Sequence, residues 1–299
     1  MSKYFRWLAW ASVLTIVLAA PRGASAQGNP DPVGFKFNSG QAVQPVFDGW
    51  AKNPDGSFNM YFGYLNRNYV ETPEIPLGPD NKLDPGPADR GQPSFFNTRT
   101  HRLVFKVTVP KDWGKKELVW SLTTKGKTEA AVAWLQPEWE IDPINGGQTL
   151  TGDRKINKPP TMQVNVPGTV TRPNTLTLSA TVQDDGLPTP RKGPPKVVIG
   201  QETPPALKPL PDQAEVPVNV PELASANPGR GRGGPQGLIV SWMVYRGPAQ
   251  VSFEPAVVGV KDGKAEVIAT FTKPGIYVLR GRAFDGQYAD EKDVTVTVR

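Results

Sequence analysis

Residues 265–298 read AEVIATFTKPGIYVLRGRAFDGQYADEKDVTVTV and decide the fold of the C-terminal half of the chain. Apolar and polar side chains alternate along 264–271, 275–284 and 293–298. A period of two is typical of a β-strand with one buried face. Pro-Gly and Asp-Gly pairs, which favour turns, separate the three stretches. The segment therefore predicts three consecutive strands joined by short connections.

Working towards the N-terminus, the same patterning predicts four more strands, at 161–166, 174–183, 238–245 and 249–253. Seven short strands with turn residues between them favour a β-sandwich. The stretches that carry these strands are LTLSATVQDDGLP at 176–188, VSWMVYRGPAQVSFEP at 240–255 and the 265–298 segment. They resemble the PKD and cadherin-like immunoglobulin-fold modules of bacterial surface and secreted proteins.

The resemblance covers strands B, C, E, F and G and implies an immunoglobulin-like module at 161–299. It places Trp242 in the middle of strand C, and Leu178 or Ala180 against Leu279 in the core. Tyr277, near the start of strand F, is a candidate tyrosine corner. The sequence departs from the family between strands B and C, where residues 187–236 insert twelve Pro and six Gly. Such a composition predicts an extended or disordered insertion.

Residues 27–145 form a different kind of module, because they contain 16 aromatic residues against 7 in 146–299. Alternating stretches at 46–50, 58–64, 103–109 and 118–122 predict strands, whereas 128–135 fits a helix or a strand equally well. The module resembles uncharacterised exported bacterial proteins. A polar linker is predicted at 146–160. The predicted fold class is therefore all-β, with two β-sandwich-like modules, although a barrel remains open for the first.

Residues 1–26 have the features of a secretory signal peptide. Lys3 and Arg6 precede an apolar run at 8–20, and Ala-Ser-Ala at 24–26 offers a cleavage site before Gln27. The run is too short to span a bilayer, which needs about 20 residues. The whole chain has a net charge of +6, and removal of three basic residues with this segment leaves +3. We therefore expect a bacterial secreted or periplasmic protein with no membrane span after cleavage.

Several function classes are excluded or disfavoured by residue types. The chain has no Cys and one His, which excludes thiol nucleophiles, Cys-ligated metals and two-His motifs. The GxGxxG match at 229–234 lies between two prolines rather than between a strand and a helix, so it does not predict a dinucleotide site. No basic cluster of the kind that binds nucleic acid is apparent. His101 is expected to be a surface or strand-edge residue rather than a catalytic one.

Asp184, Asp185, Asp285 and Asp290 form the best candidate for a cofactor site. The B–C and F–G connections of a seven-stranded sandwich lie at the same end, so the two Asp-Gly turns should be neighbours. Calcium prefers several carboxylate and carbonyl oxygens. The four residues therefore predict a calcium site. The alternative is that they only form ordinary Asp-Gly turns. No other cofactor is expected.

Exposed aromatic rings in the first module are candidate sugar-binding groups. Tyr61 lies opposite the apolar face of its strand, and Trp113 lies in a predicted turn, so these two rings are expected to be exposed. Large aromatic side chains are more often part of a core. Tyr61 and Trp113 are therefore predicted as binding residues for a glycan.

The sequence as a whole predicts a non-catalytic binding or scaffolding protein whose partner is a protein or glycan of the cell surface. Recognition is expected at the B–C and F–G end of the sandwich. The alternative is a carbohydrate-active hydrolase, or a carbohydrate-binding protein, with its site in the first module. Its acids would be Glu138 and Glu140 together with Asp80, Asp84 or Asp89. A third possibility is a subunit of a surface assembly that pairs through an edge strand.

Overall fold

The computed structural model describes residues 37–171, 174–190 and 237–299. The predicted signal peptide, the GxGxxG stretch and most of the predicted insertion, from 191 to 236, lie outside these residues. Within them the structure is almost entirely β, which confirms the predicted fold class. The described residues contain no helix with the length and apolar character that crossing a membrane requires.

Two three-stranded antiparallel sheets make up the N-terminal half, in the orders β1-β2-β4 and β3-β5-β6. Their strands are β1 Val43–Lys52, β2 Phe58–Asn66, β3 Asn81–Asp84, β4 Arg99–Val109, β5 Leu118–Thr124 and β6 Lys127–Ala133. The ambiguous stretch at 128–135 is thus a strand, followed by a 3₁₀ helix at Pro137–Trp139. The long segment between β2 and β4 contains β3.

The C-terminal half is a sandwich of the immunoglobulin type. One sheet has the order β7-β9-β13-β11, which matches strands A, B, E and D, and the other has the order β12-β10-β14-β15-β8, which contains C, F and G. The strands are β7 Thr161–Asn165, β8 Thr169–Val170, β9 Thr175–Gln183, β10 Ile239–Arg246, β11 Val251–Glu254, β12 Val257–Gly259, β13 Lys264–Phe271, β14 Gly275–Phe284 and β15 Ala289–Val298. The short strands β8 and β12 are additions to the seven that were predicted.

Residues of this core lie where the sequence places them. Trp242 is 1% exposed and packs over Gly281 of the neighbouring strand, which has no side chain to obstruct the indole. The Tyr277 hydroxyl donates a hydrogen bond to the carbonyl oxygen of Lys273 at 2.8 Å, which is the tyrosine-corner contact. The assignment to the PKD type in particular stays a prediction.

Each of the two clusters of buried hydrophobic residues includes one aromatic residue from the other half of the chain. Tyr245 of β10 belongs to the N-terminal cluster, and Phe95 belongs to the C-terminal one. The backbone carbonyl of Tyr245 accepts from the amides of Ser94 and Phe95 at 3.2 and 3.3 Å. The segment before β4 therefore packs directly against β10. The predicted domain boundaries stay predictions.

Paired bulges in β1 and β4 shape the N-terminal sheet where it faces β14. Pairing of β1 with β2 shifts at Asp48, and pairing of β2 with β4 shifts between Phe62 and Tyr64. The Asp48 carboxylate accepts hydrogen bonds from the Leu103 amide at 2.7 Å and from Arg102 Nε at 2.9 Å. Burial raises the pKa of Asp48, although these two donors favour the ionised form. The carboxylate thus fixes the β4 bulge.

Replacement of Gly63 by Ala tests this arrangement. A Cβ at this position would lie 2.5 Å from Asp48 Oδ2 and 2.9 Å from Arg102 Cα, and it would overlap the His101 carbonyl oxygen. We expect Gly63→Ala to lower the free energy of unfolding by about 3 kcal/mol, measured by urea denaturation.

Gly168→Ala is the matched control, because nothing lies within 4 Å of its Cβ position. This control should change the stability by no more than about 0.5 kcal/mol. Equal stability of the two variants would contradict the proposed role of Gly63.

Candidate ligand-binding cleft

A cleft of about 130 Å³ lies between the β4 bulge and the outer face of the β10-β14-β15 sheet. Successive side chains of a strand point to opposite faces of its sheet. In β14, Leu279 and Ala283 therefore pack in the sandwich core, and Arg280 and Arg282 lie on the outer face. Pro143 and Ile144, which follow the 3₁₀ helix, and Gln287 also line the cleft. The residues that carry its chemistry are Leu103, Ser241, Arg280, Arg282, Phe284 and Glu291.

Arg280 is fully engaged by protein groups. Its Nε and Nη2 atoms bond the two Asp293 oxygens at 2.7 and 2.8 Å, and its Nη1 donates to the Val104 carbonyl at 2.7 Å. The guanidinium also lies 3.6 Å from the centroid of the Tyr245 ring. Desolvation alone would lower the pKa of Arg280, but the bonds to Asp293 and the surrounding negative charge outweigh it, and the pKa is raised.

Arg282 lies two residues further along the same face and is much less well paired. Its Nε is buried and has no hydrogen-bond partner within the described part of the chain. Glu291 Oε1 lies 3.6 Å from Arg282 Nε. The other oxygen of Glu291 lies 3.5 Å from Arg280 Nη1, so the two arginines share this carboxylate. Desolvation lowers the pKa of Arg282 and raises that of Glu291. The cleft therefore contains a guanidinium whose donors are incompletely used.

His101 is buried, so the prediction of a surface position is wrong, although its strand, β4, lies at the edge of the β1-β2-β4 sheet. The side chain is 3% exposed and its ring stacks on Tyr64 with centroids 4.7 Å apart. Because the Thr98 carbonyl can only accept, His101 Nε2 carries the proton of their 2.9 Å bond. Nδ1 is left as an acceptor with no partner in the described residues. Burial lowers the pKa of His101 to about 4.

The cleft places a guanidinium beside apolar side chains. Ser241 and His101 both line it, and no hydrogen bond between them is found among the described residues. A guanidinium with a free donor binds carboxylates strongly in surroundings that exclude water. Leu103, Ile144 and Phe284 supply apolar contacts beside that donor.

The structure places the two predicted Asp-Gly turns side by side. A Cβ on Gly286 would lie 3.9 Å from Pro188, and the charge of Asp285 helps to raise the pKa of Asp184, after desolvation as the main cause. Asp285 accepts from the amides of Gln287 and Tyr288 at 2.6 and 2.7 Å. It thereby holds the turn that presents Gln287 to the cleft.

The other predicted calcium ligands also accept backbone hydrogen bonds. Asp185 accepts from the Lys158 and Leu187 amides, Asp184 from the Gly186 amide, and Asp290 from the Met162 amide at 2.8 Å. No group of three or more acidic or His side chains in the described ranges is arranged to hold a metal. Calcium binding at these four residues stays a prediction.

Of the two predicted sugar-binding rings, Trp113 is not exposed. Its side chain is 8% exposed because the turn folds the indole onto the N-terminal core, where Nε1 donates to the Lys116 carbonyl at 2.7 Å. Tyr61 is half-buried, and desolvation raises its pKa. Sugar binding by these two residues stays a prediction, and for Trp113 the expected exposure was wrong.

The acids of the hydrolase alternative do not converge. Asp80, Asp84, Asp89, Glu138 and Glu140 are all exposed to solvent, and none has the enclosed partner that an acid–base pair needs. Glu138 lies in the 3₁₀ helix at Pro137–Trp139 and Glu140 follows it, so these two acids do not share a strand.

The sequence analysis missed the arginines of the cleft, although a signal for them existed. Arg280 and Arg282 alternate on one predicted strand, and Glu291 and Asp293 alternate just before and at the start of the next. Oppositely charged residues with period two on consecutive strands predict cross-strand pairs. The structure pairs Arg280 with Asp293 and Arg282 with Glu291.

Comparisons with known proteins return weak structural matches only. No protein-family model matches the sequence, and no curated protein matches it significantly. Similar solved structures include domains 4 and 5 of the S-layer protein SbsC, with 10% identity, 86% of this chain and 98% of that chain covered, and a TM-score of 0.23. The D00-D0 domain of intimin has 9% identity, coverage of 86% and 100%, and a TM-score of 0.24.

Native alpha-2-macroglobulin of E. coli is a third similar structure, with 9% identity, coverage of 87% of this chain and 17% of that chain, and a TM-score of 0.25. Scores and identities at this level carry no inference about function.

The lowered pKa of His101 predicts a pH dependence of stability. The unfolded chain protonates this residue near pH 6.5 and the folded chain near pH 4, so stability is fully present above pH 6.5 and is lost as the pH falls towards 4. The loss attributable to His101 should reach roughly 3 kcal/mol.

His101→Phe is the comparison, because a phenyl ring keeps the stack on Tyr64 and does not titrate. Urea denaturation at several pH values should give a flatter profile between pH 6.5 and 4 for the variant, whatever its stability at neutral pH. Because the chain has a single His, NMR titration of its ring signal measures the pKa directly. Parallel profiles for the two proteins would contradict the assignment.

Proposed function

We propose that the mature chain is an exported, non-catalytic binding protein of the bacterial envelope or extracellular space, and that it binds a carboxylate-bearing ligand in the cleft. The observation that carries the proposal is the buried Nε of Arg282, which has no hydrogen-bond partner among the described residues and only a 3.6 Å ion pair with Glu291. The apolar run and cleavage site at the N-terminus support export.

The lining of the cleft determines the class of ligand. Arg102, Arg280 and Arg282 line the cleft together with one acidic residue, Glu291, and the first two arginines are already bonded to Asp48 and Asp293. Arg282 is therefore the group that a ligand anion would complete. Because the cleft is small and partly apolar, it fits a carboxylate on a short apolar body.

Arg282→Gln tests the ligand class. The wild-type protein is titrated with acetate, butyrate, lactate, benzoate, the dipeptide Ala-Ala and its C-terminal amide, with chloride at matched ionic strength. At a concentration of 100 Kd, a bound ligand stabilises the fold by about 2.7 kcal/mol. We expect a rise in Tm of about 5 °C for at least one carboxylate.

Arg282→Gln should abolish that shift, and Arg282→Lys should weaken it, because Lys keeps the charge but loses the fixed donor geometry. Arg67→Gln, which removes an exposed arginine bonded to Gln44, is the matched control and should keep the shift. If Ala-Ala binds and its C-terminal amide does not, the ligand carboxylate is identified as the C-terminus of a peptide. Absence of any shift in the wild type, or equal shifts in all variants, would overturn the carboxylate assignment.

Export is tested by expressing residues 1–299 in a Gram-negative host. Cleavage after Ala26 should yield a periplasmic or secreted protein that begins at Gln27, as measured by intact mass and N-terminal sequencing. Uncleaved protein in the cytoplasm would contradict export without affecting the ligand assignment.

A further inference from the structure

An aromatic shelf is made of Phe47, Trp134 and Trp139, none of which is among the residues that line the cleft. The Trp139 ring lies parallel to Phe47, with 5.3 Å between centroids and 11° between planes. Trp134 lies beside it, at 5.9 Å and 41°. Phe47 is 6% exposed, whereas Trp139 is 40% exposed. One indole therefore rests on a buried ring and keeps much of its surface in solvent.

Backbone contacts hold the shelf in place. Gly49 lets the 3₁₀ helix approach β1 closely, because a Cβ there would lie 2.6 Å from Ile141 and 2.7 Å from the Trp139 carbonyl. The Ile141 amide donates to the Trp50 carbonyl at 2.9 Å, and Trp50 Nε1 donates to the Gln136 carbonyl at 2.7 Å. The ring positions are thus fixed before any ligand arrives, which reduces the entropy cost of binding.

Three exposed polar residues lie within three positions of Trp139 in the sequence and are called the border of the shelf: Gln136, Glu138 and Glu140. The Gln136 side chain accepts a hydrogen bond from Trp134 Nε1 at 2.8 Å. The border therefore brings hydrogen-bond acceptors and two negative charges to the segment that carries the exposed indole. An indole face near such acceptors suits a ligand with one apolar face and a hydroxyl-bearing edge.

We propose that the shelf binds a pyranose unit of a neutral or amino-bearing glycan by stacking on Trp139. The C–H face of a pyranose matches the indole, and its hydroxyl groups donate to the carboxylates at the border. Glu138 and Glu140 repel anionic sugars, which sets the class of glycan. This site is independent of the cleft and of the carboxylate proposed there.

The test uses the mature protein with cellotetraose, chitotetraose and a trigalacturonate as the anionic probe, measured by isothermal titration calorimetry and by quenching of tryptophan fluorescence. We expect binding of at least one of the neutral tetrasaccharides and none of the trigalacturonate. Trp139→Ala should weaken binding at least tenfold, and Trp139→Phe, which keeps a stacking face, should weaken it less. Glu138→Gln should restore some affinity for the anionic probe.

Tyr69→Ala is the matched control, because Tyr69 is a half-buried aromatic residue of the same half of the chain and belongs to no site named above, and it should leave binding unchanged. Melting temperatures of the variants check that each is folded. The proposal is overturned if the wild type binds neither neutral probe, or if Trp139→Ala binds as tightly as the wild type. It is equally overturned if Trp139→Ala converts a dimer to a monomer in sedimentation, since a second copy would then occupy the shelf.

Discussion

The Arg280 guanidinium is the contact on which the rest of the described structure depends. It joins β14 to β15 through Asp293, to the β4 bulge through the Val104 carbonyl, and to β10 through the face of Tyr245. A guanidinium this far removed from water is tolerated only when charge and hydrogen bonds compensate it on every side. Each of its partners comes from a different strand, so the strands must be in place together.

That requirement explains why the β4 bulge has its particular shape. The Val104 carbonyl can reach Arg280 only because β4 leaves regular pairing with β2 after His101. The Asp48 carboxylate stabilises this bulge by accepting from the Leu103 amide. Gly63 in the middle strand provides the space for Asp48. Gly63, the buried Asp48 carboxylate and the β4 bulge together determine where the cleft lies.

The sequence predicts those features that depend on local alternation. Strands β2, β9, β13 and β14 follow from it, because period-two patterning specifies which face is buried. The buried Trp242 and the Tyr277 corner were instead implied by the resemblance to immunoglobulin-fold modules. Trp113 shows the limit of the method, since a turn position does not say which way an indole folds. His101 shows another limit, because its burial depends on Tyr64, which lies on a separate strand and pairs with it only across a bulge. The cleft needs the packing of β14 against β4, a contact between segments far apart in sequence, which no local pattern encodes.

The contrast between Arg280 and Arg282 shows why a cleft persists here. Both residues pair across strands with an acid, but Asp293 meets Arg280 with two short bonds, whereas Glu291 lies between the two arginines and hydrogen-bonds neither. Leu103 and Ile144, which line the same cleft, have no side-chain acceptor to offer. The buried Nε of Arg282 is left without an acceptor among the described residues, and a buried donor in that state costs the folded state free energy.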